Sequence, residues 1–143
     1  MSARSKARKR ALDVLYAADL RGASAFEVLA DLIAERASAG DEMNAYTIDL
    51  VEGVAANSAV LDSAIVTYAQ DWDLDRMPAV DRTILRIAAF EILFRRDIPE
   101  GVAISEAVEL AGEYSTEASA AFVNGLLAKI AASRPPLLGD GTR

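Results

Sequence analysis

The stretch Asp81-Arg-Thr-Ile-Leu-Arg-Ile-Ala-Ala-Phe-Glu-Ile-Leu-Phe94 decides the fold of this chain. Nine of its fourteen residues are apolar, and at about 100° per residue they lie on every side of a helix. A helix that is apolar all round is buried, so we expect this one in the middle of a helical bundle. Glu91 projects among these apolar side chains and should have a buried partner, either an arginine or a run of backbone N–H groups.

The composition favours an all-α protein. The 143 residues include only four prolines and eight glycines, and 52% are hydrophobic. Apolar residues at helical spacing predict about seven helices joined by short loops, in a single domain over residues 1–134. Pro135-Pro136 should end the last helix and begin a flexible tail over residues 135–143. Gly53, inside the third helix, predicts a close contact with another helix.

The residue types that are missing restrict the possible functions. No apolar run is long enough to span a membrane, no signal peptide is recognisable and no cysteine is present, so we expect a cytoplasmic protein. The absence of both histidine and cysteine removes nearly all zinc sites, Ser-His triads and Cys-His pairs. Without a P-loop or a GxGxxG motif either, we expect no enzyme, no cofactor and no metal.

A row of carboxylates on the sixth predicted helix is the one pattern that resembles a metal site. Glu106, Glu109 and Glu113 follow one another at i, i+3 and i+7, so they lie on one face. Without histidine or a facing row of ligands, a face exposed to solvent is the favoured interpretation.

The charge distribution is uneven. The net charge is −7, yet five of the 15 cations lie in the first ten residues, which contain none of the 22 acidic residues. This basic start on an acidic body predicts two partners, a polyanion at one place and a basic or neutral partner at another. The five cations are Arg4, Lys6, Arg8, Lys9 and Arg10.

Two aromatic residues are candidate stacking platforms for nucleic-acid bases. Tyr16 lies one to two helical turns from the lysines, although it could instead pack on a neighbouring helix. Phe122 lies one turn from Gly125, which either leaves the ring face open or admits a neighbouring helix whose junction Phe122 covers. Asn124 is either a base or phosphate contact or a cap for the backbone of another segment.

Three segments together resemble the NusB family of transcription antitermination factors. They are Ala7-Arg-Lys-Arg-Ala-Leu12 with Leu15-Tyr16, the stretch from Asp81 to Glu91, and Val102-Ala-Ile-Ser-Glu-Ala-Val-Glu-Leu-Ala111 followed by Phe122-Val-Asn-Gly-Leu126. The resemblance covers the chain from about Arg4 to Ile130. It implies the all-α NusB fold, in which two small helical bundles pack together.

The resemblance also implies a function and a set of site residues. The family binds the boxA element of ribosomal RNA transcripts together with NusE, a small-subunit ribosomal protein, and helps elongating RNA polymerase to read through terminators. The RNA-binding residues that the resemblance implies are Arg4, Arg8, Lys9, Arg10, Tyr16, Phe122 and Asn124. The charge pattern adds Lys6, the remaining cation of the basic start, to the candidate RNA-binding residues. The stretch around Asp75, Arg76 and Asp81 resembles the region that faces NusE.

Three positions depart from the family pattern. Ser105 stands where asparagine is usual, Gly112 where lysine is common, and Ala118 where an acidic residue is frequent beside the RNA surface. The first two changes remove a possible amide contact and one cation, so they bear on the strength and sequence preference of RNA binding.

Two alternatives to a stand-alone antitermination factor are an RNA-recognition module like the N-terminal domain of ribosomal RNA cytosine methyltransferases and a protein-only helical scaffold. Changing Arg8, Arg10 and Tyr16 together to alanine should separate the scaffold from an RNA-binding protein, because RNA binding should collapse while thermal stability hardly changes. A homodimer is a further possibility, formed through an apolar edge near Phe122.

Overall fold

Seven α-helices and one short 3₁₀ turn make up the part of the chain that the computed structural model describes, residues 2–70 and 72–133. The predicted tail, residues 135–143, lies outside the described residues. The helices are α1 (Ala3–Arg21), α2 (Ala25–Ser38), α3 (Ala45–Ala56), α4 (Ser58–Ala69), α5 (Ala79–Phe94), α6 (Glu100–Tyr114) and α7 (Glu117–Ala132), and the 3₁₀ turn is Leu74–Arg76.

The helices form two packed groups, as the fold prediction requires. Helices α1, α2 and α3 contact one another, and α5 packs against α4, α6 and α7 while also contacting α1 and α3. Helix α5 buries eleven residues, including Ile84, Leu85 and Ile92, each at most 1% exposed. The prediction of a central helix that is buried on all sides is therefore confirmed.

Two glycines fix the paths of the helices around the site. Gly22 adopts the left-handed conformation at φ +64°, and its N–H bonds back to Ala18 and Asp19, which ends α1. A Cβ atom on Gly53 would lie 2.1 Å from Cζ of Phe90, so only glycine allows α3 to pack this closely on α5. The close helix contact predicted at Gly53 is confirmed.

In the described residues, no single helix combines the length and the apolar character needed to cross a membrane. One pair of consecutive helices, α3 with α4, reaches that length and composition together, but it is bent by 76°.

Candidate RNA-binding surface

Arg8 is not on the surface. It is only 3% exposed, because it projects from α1 between α5 and α6 and meets carboxylates from both. Its Nε donates to Oε1 and Oε2 of Glu91 at 3.1 and 3.0 Å, and a terminal nitrogen lies 2.9 Å from Oε2. Its other terminal nitrogen donates to Glu106 at 2.8 Å. The expectation that Arg8 contacts RNA is therefore wrong. Of the two partners expected for Glu91, an arginine or a run of backbone N–H groups, the structure shows an arginine, Arg8.

Two hydroxyl groups of this buried cluster donate further hydrogen bonds to the carboxylates of Glu91 and Glu106. The Tyr46 hydroxyl donates to Glu91, and the Ser5 hydroxyl donates to Glu106. Burial and the hydrogen bond to Glu91 raise the pKa of Tyr46 well above its ordinary value, so this hydroxyl remains a proton donor. Burial alone would lower the pKa of Arg8, but the hydrogen bond and charge of Glu91 outweigh it and raise that pKa. The cluster therefore fixes the start of α1 to α5 and α6.

The other four cations of the basic start remain accessible to different degrees. Lys6 and Arg10 are exposed, and neither forms an ion pair within residues 2–70 and 72–133. Arg4 lies 3.3 Å from Asp97 and 4.6 Å from the centre of the Tyr46 ring. Lys9 forms an ion pair with Glu113 at 2.9 Å. Among the residues that the structure describes, the basic start therefore offers two cations without an ion pair and two that carboxylates already hold.

The carboxylate row of α6 is not simply a solvent-exposed face, which corrects the expectation from its spacing. Glu106 pairs with Arg8 and Glu113 pairs with Lys9, whereas Glu109 is exposed and has no ion pair with any residue in the described parts of the chain. The three acids line one side of a cleft of about 320 Å³, and the start of α1 lines the other. The spacing of the row showed that the acids share a face, but it did not show that this face meets a basic helix.

Tyr16 lies half-buried on α1, seven residues after Lys9 and therefore on the same side of the helix. A second aromatic residue, which the sequence did not indicate, lies nearer to Lys9. Tyr114 ends α6 with 45% of its surface exposed, and the Lys9 ammonium lies 5.5 Å from the centre of its ring. An exposed ring beside an ammonium group is suited to stacking on a base.

Phe122 lies half-buried on α7, and its ring meets Trp72 edge to face, with 4.7 Å between the ring centres and 71° between the planes. It also lines an open groove of about 340 Å³ between α4 and α7, with Tyr68, Gln70 and Lys129. A Cβ atom on Gly125 would meet nothing within 4 Å. The interpretation in which Gly125 admits a neighbouring helix is therefore wrong.

Asn124 is exposed on α7 and caps no backbone group in the described parts of the chain. Helix α7 packs mainly on α4, α5 and α6, so it has no extensive contact with α1. The structure therefore gathers Lys6, Lys9, Arg10 and Tyr16 on one helix and leaves Phe122 and Asn124 on another, α7, against which α6 packs.

Of the three residues predicted to face a partner protein, two are exposed and one is buried. Asp75 and Arg76 are exposed in the 3₁₀ turn, whereas Asp81 is completely buried and accepts a hydrogen bond from the Ser119 hydroxyl at 2.6 Å. The expectation that Asp81 contacts a partner protein is wrong, because the start of α7 covers it. Arg82 positions the 3₁₀ turn by donating to the carbonyl groups of Leu74 and Met77.

Comparison with known proteins identifies this architecture. The model of the NusB family matches residues 5–132. A solved structure of T. maritima NusB superposes with a TM-score of 0.81 at 32% identity, covering 94% of each chain. A crystal structure of antitermination factors NusB and NusE in complex with double-stranded RNA superposes with a TM-score of 0.77 at 28% identity, covering 91% of this chain and 96% of that chain.

The helical architecture and the family match define the class: the chain belongs to the NusB family. Among its relatives, the transcription antitermination protein NusB of Leifsonia xyli is 56% identical over 138 residues, covering 94% of this chain and 95% of the relative. That of Pseudarthrobacter chlorophenolicus is 51% identical over 138 residues, covering 96% and 99%. The chain is therefore a member of a family of transcription antitermination factors and not an enzyme, as expected.

Proposed function

We propose that this protein binds boxA RNA of ribosomal RNA transcripts together with NusE and so promotes transcription antitermination. The observation that carries the proposal is its likeness, over almost its whole length, to the NusB of the NusB–NusE–RNA complex. The exposed cations at the start of α1 and the exposed Tyr114 ring at the end of α6 support it, because phosphate attraction and base stacking are how proteins bind single-stranded RNA.

The RNA-binding surface that we propose has two parts. The first contains Lys6, Lys9, Arg10, Tyr16 and the neighbouring Tyr114, with Arg4 at its edge. The second is the groove of Phe122 on α7, where Lys129 supplies a cation and Asn124 an amide. Stacking on one such ring contributes about 1–3 kcal/mol per base.

The burial of Arg8 reduces the expected salt dependence of RNA binding. Five phosphate-binding cations would give a slope of log affinity against log salt of about −3.5 for a single strand, at about −0.7 per cation. With Arg8 buried against Glu91, four cations of the basic start remain, and their contribution to the slope should be no steeper than about −2.8.

We propose that NusE binds at the 3₁₀ turn and the end of α1. Asp75 and Arg76 are exposed there, with the Arg76 side chain 80% exposed. Arg82 joins this turn to Asp19 of α1 at 2.7 Å, and the next residue, Leu20, is 63% exposed. An exposed apolar side chain among charged ones is typical of a protein interface.

The remaining proposals follow from this function. We propose that residues 1–134 act as a single RNA-binding domain, that the RNA polymerase elongation complex is the wider assembly, and that the protein acts in the cytoplasm. A homodimer through the apolar edge near Phe122 is also a prediction, and RNA should compete with it because both would use that edge.

Titrating a boxA-type RNA and a scrambled RNA of equal length, with and without NusE, tests the proposed function. We expect preference for the boxA-type RNA and tighter binding when NusE is present, since a basic partner can supply charge that the acidic body lacks. Equal binding of the two RNAs, with no gain from NusE, would contradict the proposal, and no binding of either RNA would favour a protein-only scaffold.

A further inference from the structure

We propose that Glu113 is an internal competitor for RNA phosphates, which holds Lys9 in the free protein and thereby limits RNA affinity. This inference rests on the proposed function, because it concerns the strength of binding at the same surface. It assigns to an acidic residue of α6 a part in setting RNA affinity.

The geometry of the Lys9–Glu113 pair supports a competitive role. The two groups are 2.9 Å apart, and their side chains are 29% and 46% exposed, so solvent and an incoming phosphate can reach the pair. The hydrogen bond to Glu113 is also the main cause that raises the pKa of Lys9, which keeps this ammonium charged. Lys9 is therefore charged near neutral pH, and in the structure without RNA its ionic partner is the Glu113 carboxylate.

The neighbouring pair shows why Glu113 and not Glu106 has this role. The Arg8 side chain is only 4% exposed, and Glu91 holds its guanidinium at two nitrogens while Glu106 holds a third. No phosphate can reach that group without unpacking α1. An exposed ion pair contributes little to the stability of the fold, so phosphate can displace Glu113 without unfolding α1 or α6.

Displacement still has a cost for RNA binding. A phosphate that takes Lys9 leaves the Glu113 carboxylate unpaired beside the RNA backbone, next to the exposed Glu109 on the same face. Repulsion between unit charges a few ångströms apart is worth several-fold in affinity even in water, and salt screens it. Neutralising Glu113 should therefore release Lys9 and remove this repulsion together.

The test compares wild type with Glu113→Gln by fluorescence anisotropy, using labelled boxA-type and scrambled single-stranded RNAs between about 50 and 200 mM salt. We expect Glu113→Gln to bind both RNAs about 3- to 10-fold more tightly at the lowest salt, because phosphate contacts are independent of sequence. The slope of log affinity against log salt should steepen by up to about 0.7, the share of one freed cation.

The matched control is Glu27→Gln, which makes the same change in net charge on the first turn of α2, near the opposite end of α1. Lys9 lies twelve residues before Arg21, the last residue of α1, which is about 18 Å along the helix axis and beyond the screening length of about 10 Å at 0.1 M salt. We expect less than about a two-fold change in RNA affinity from this control. Equal effects of the two variants would overturn the inference, because net charge alone would then explain the gain.

A second variant adds a positive charge to the same surface instead of removing a negative one. A Cβ atom at Gly112 would meet nothing within 4 Å, so Gly112→Lys can add a cation beside Glu113, and it should also tighten RNA binding. Unchanged affinity in both Glu113→Gln and Gly112→Lys, with boxA preference intact in wild type, overturns this inference alone. If wild type shows no preference for the boxA-type RNA, with or without NusE, the proposed function itself is overturned.

Discussion

The two sides of α1 place arginine in opposite environments, one buried and one exposed to solvent. Arg8 and Arg10 are two positions apart, yet Arg8 is 3% exposed and binds two carboxylates, whereas Arg10 is exposed and has no ion pair in the described residues. The difference arises from a rotation of about 200° along the helix, which aims one guanidinium at α5 and α6 and the other at solvent. A run of cations is therefore not a single functional unit.

Replacing Arg8 should give the largest effect. Arg8→Ala leaves Glu91, which is 1% exposed, without its cationic partner, and breaking a buried ion pair costs about 3–5 kcal/mol in the free energy of unfolding. Arg10→Ala should change it by no more than about 0.5 kcal/mol. Urea denaturation of both variants measures the contrast.

The double variant Arg8→Leu with Glu91→Leu isolates the cause. If the loss in Arg8→Ala comes from the unpaired carboxylate, removing both charges should restore much of the stability. Equal stability of Arg8→Ala and Arg10→Ala would contradict the division of α1 into a structural and a binding side.

Substitutions on the solvent-facing side of α1 should weaken RNA binding and leave the stability of the fold nearly unchanged. Changing Lys6, Arg10 and Tyr16 together to alanine removes two phosphate contacts and one stacking ring, so we expect RNA affinity to fall by about 2–4 kcal/mol and the salt slope to weaken by about 1.4. Anisotropy at several salt concentrations measures both. Unchanged RNA affinity in this variant would place the RNA-binding surface elsewhere.

This set of residues replaces the one that the sequence suggested. A variant that includes Arg8→Ala would lose RNA binding through destabilisation of α1, and the loss would then say nothing about RNA contacts. The thermal midpoint of the Lys6, Arg10 and Tyr16 variant should stay close to that of wild type, because none of these side chains forms an ion pair or hydrogen bond within the described residues.

The sequence was sufficient for the fold because α5 is apolar on every side, and it also predicted that Glu91 needs a buried partner. It could not say which arginine, since Arg8 and Glu91 are 83 positions apart and only the packing of α1 on α5 brings them together. A weak signal was present: Arg8, Leu12 and Leu15 follow the i, i+4 and i+7 spacing of a buried stripe.

The surface was harder to predict than the core. Tyr114 is near Lys9 only because α6 ends where α1 begins its third turn, and neither sequence segment contains that information. Asp81 resembled a partner-facing acid, but its burial depends on Ser119 from a helix 38 positions away. Helical periodicity determines which face a residue occupies and does not determine what packs against that face.

Tyr46→Phe tests the buried cluster around Glu91 with a smaller expected loss of stability than Arg8→Ala. It removes only the hydroxyl that donates to Glu91 and keeps the ring, so Glu91 retains Arg8 but loses one hydrogen bond. A hydrogen bond to a charged group contributes about 1.5–3 kcal/mol, and we expect a loss of this size in urea denaturation. RNA affinity should not change, and a weakening of RNA binding without loss of stability would show that the two sides are not independent.

Asp97 pairs with Arg4 at the edge of the proposed RNA-binding surface, and its replacement should give the smallest effect. Hydrogen bonds from Arg95, together with the nearby charges of Arg95 and Arg4, lower the pKa of Asp97 from 3.8 to about 2. Because the folded value lies below the unfolded one, this carboxylate stabilises the protein above about pH 4 and loses that contribution as the pH falls towards 2. Asp97→Asn should therefore be less stable than wild type at pH 5, by less than about 1 kcal/mol for a half-exposed pair, and the difference should shrink by pH 2.5. A difference that stays constant over this range, or an Asp97 pKa near 3.8 by carboxyl NMR, would show that Arg95 and Arg4 do not hold this group.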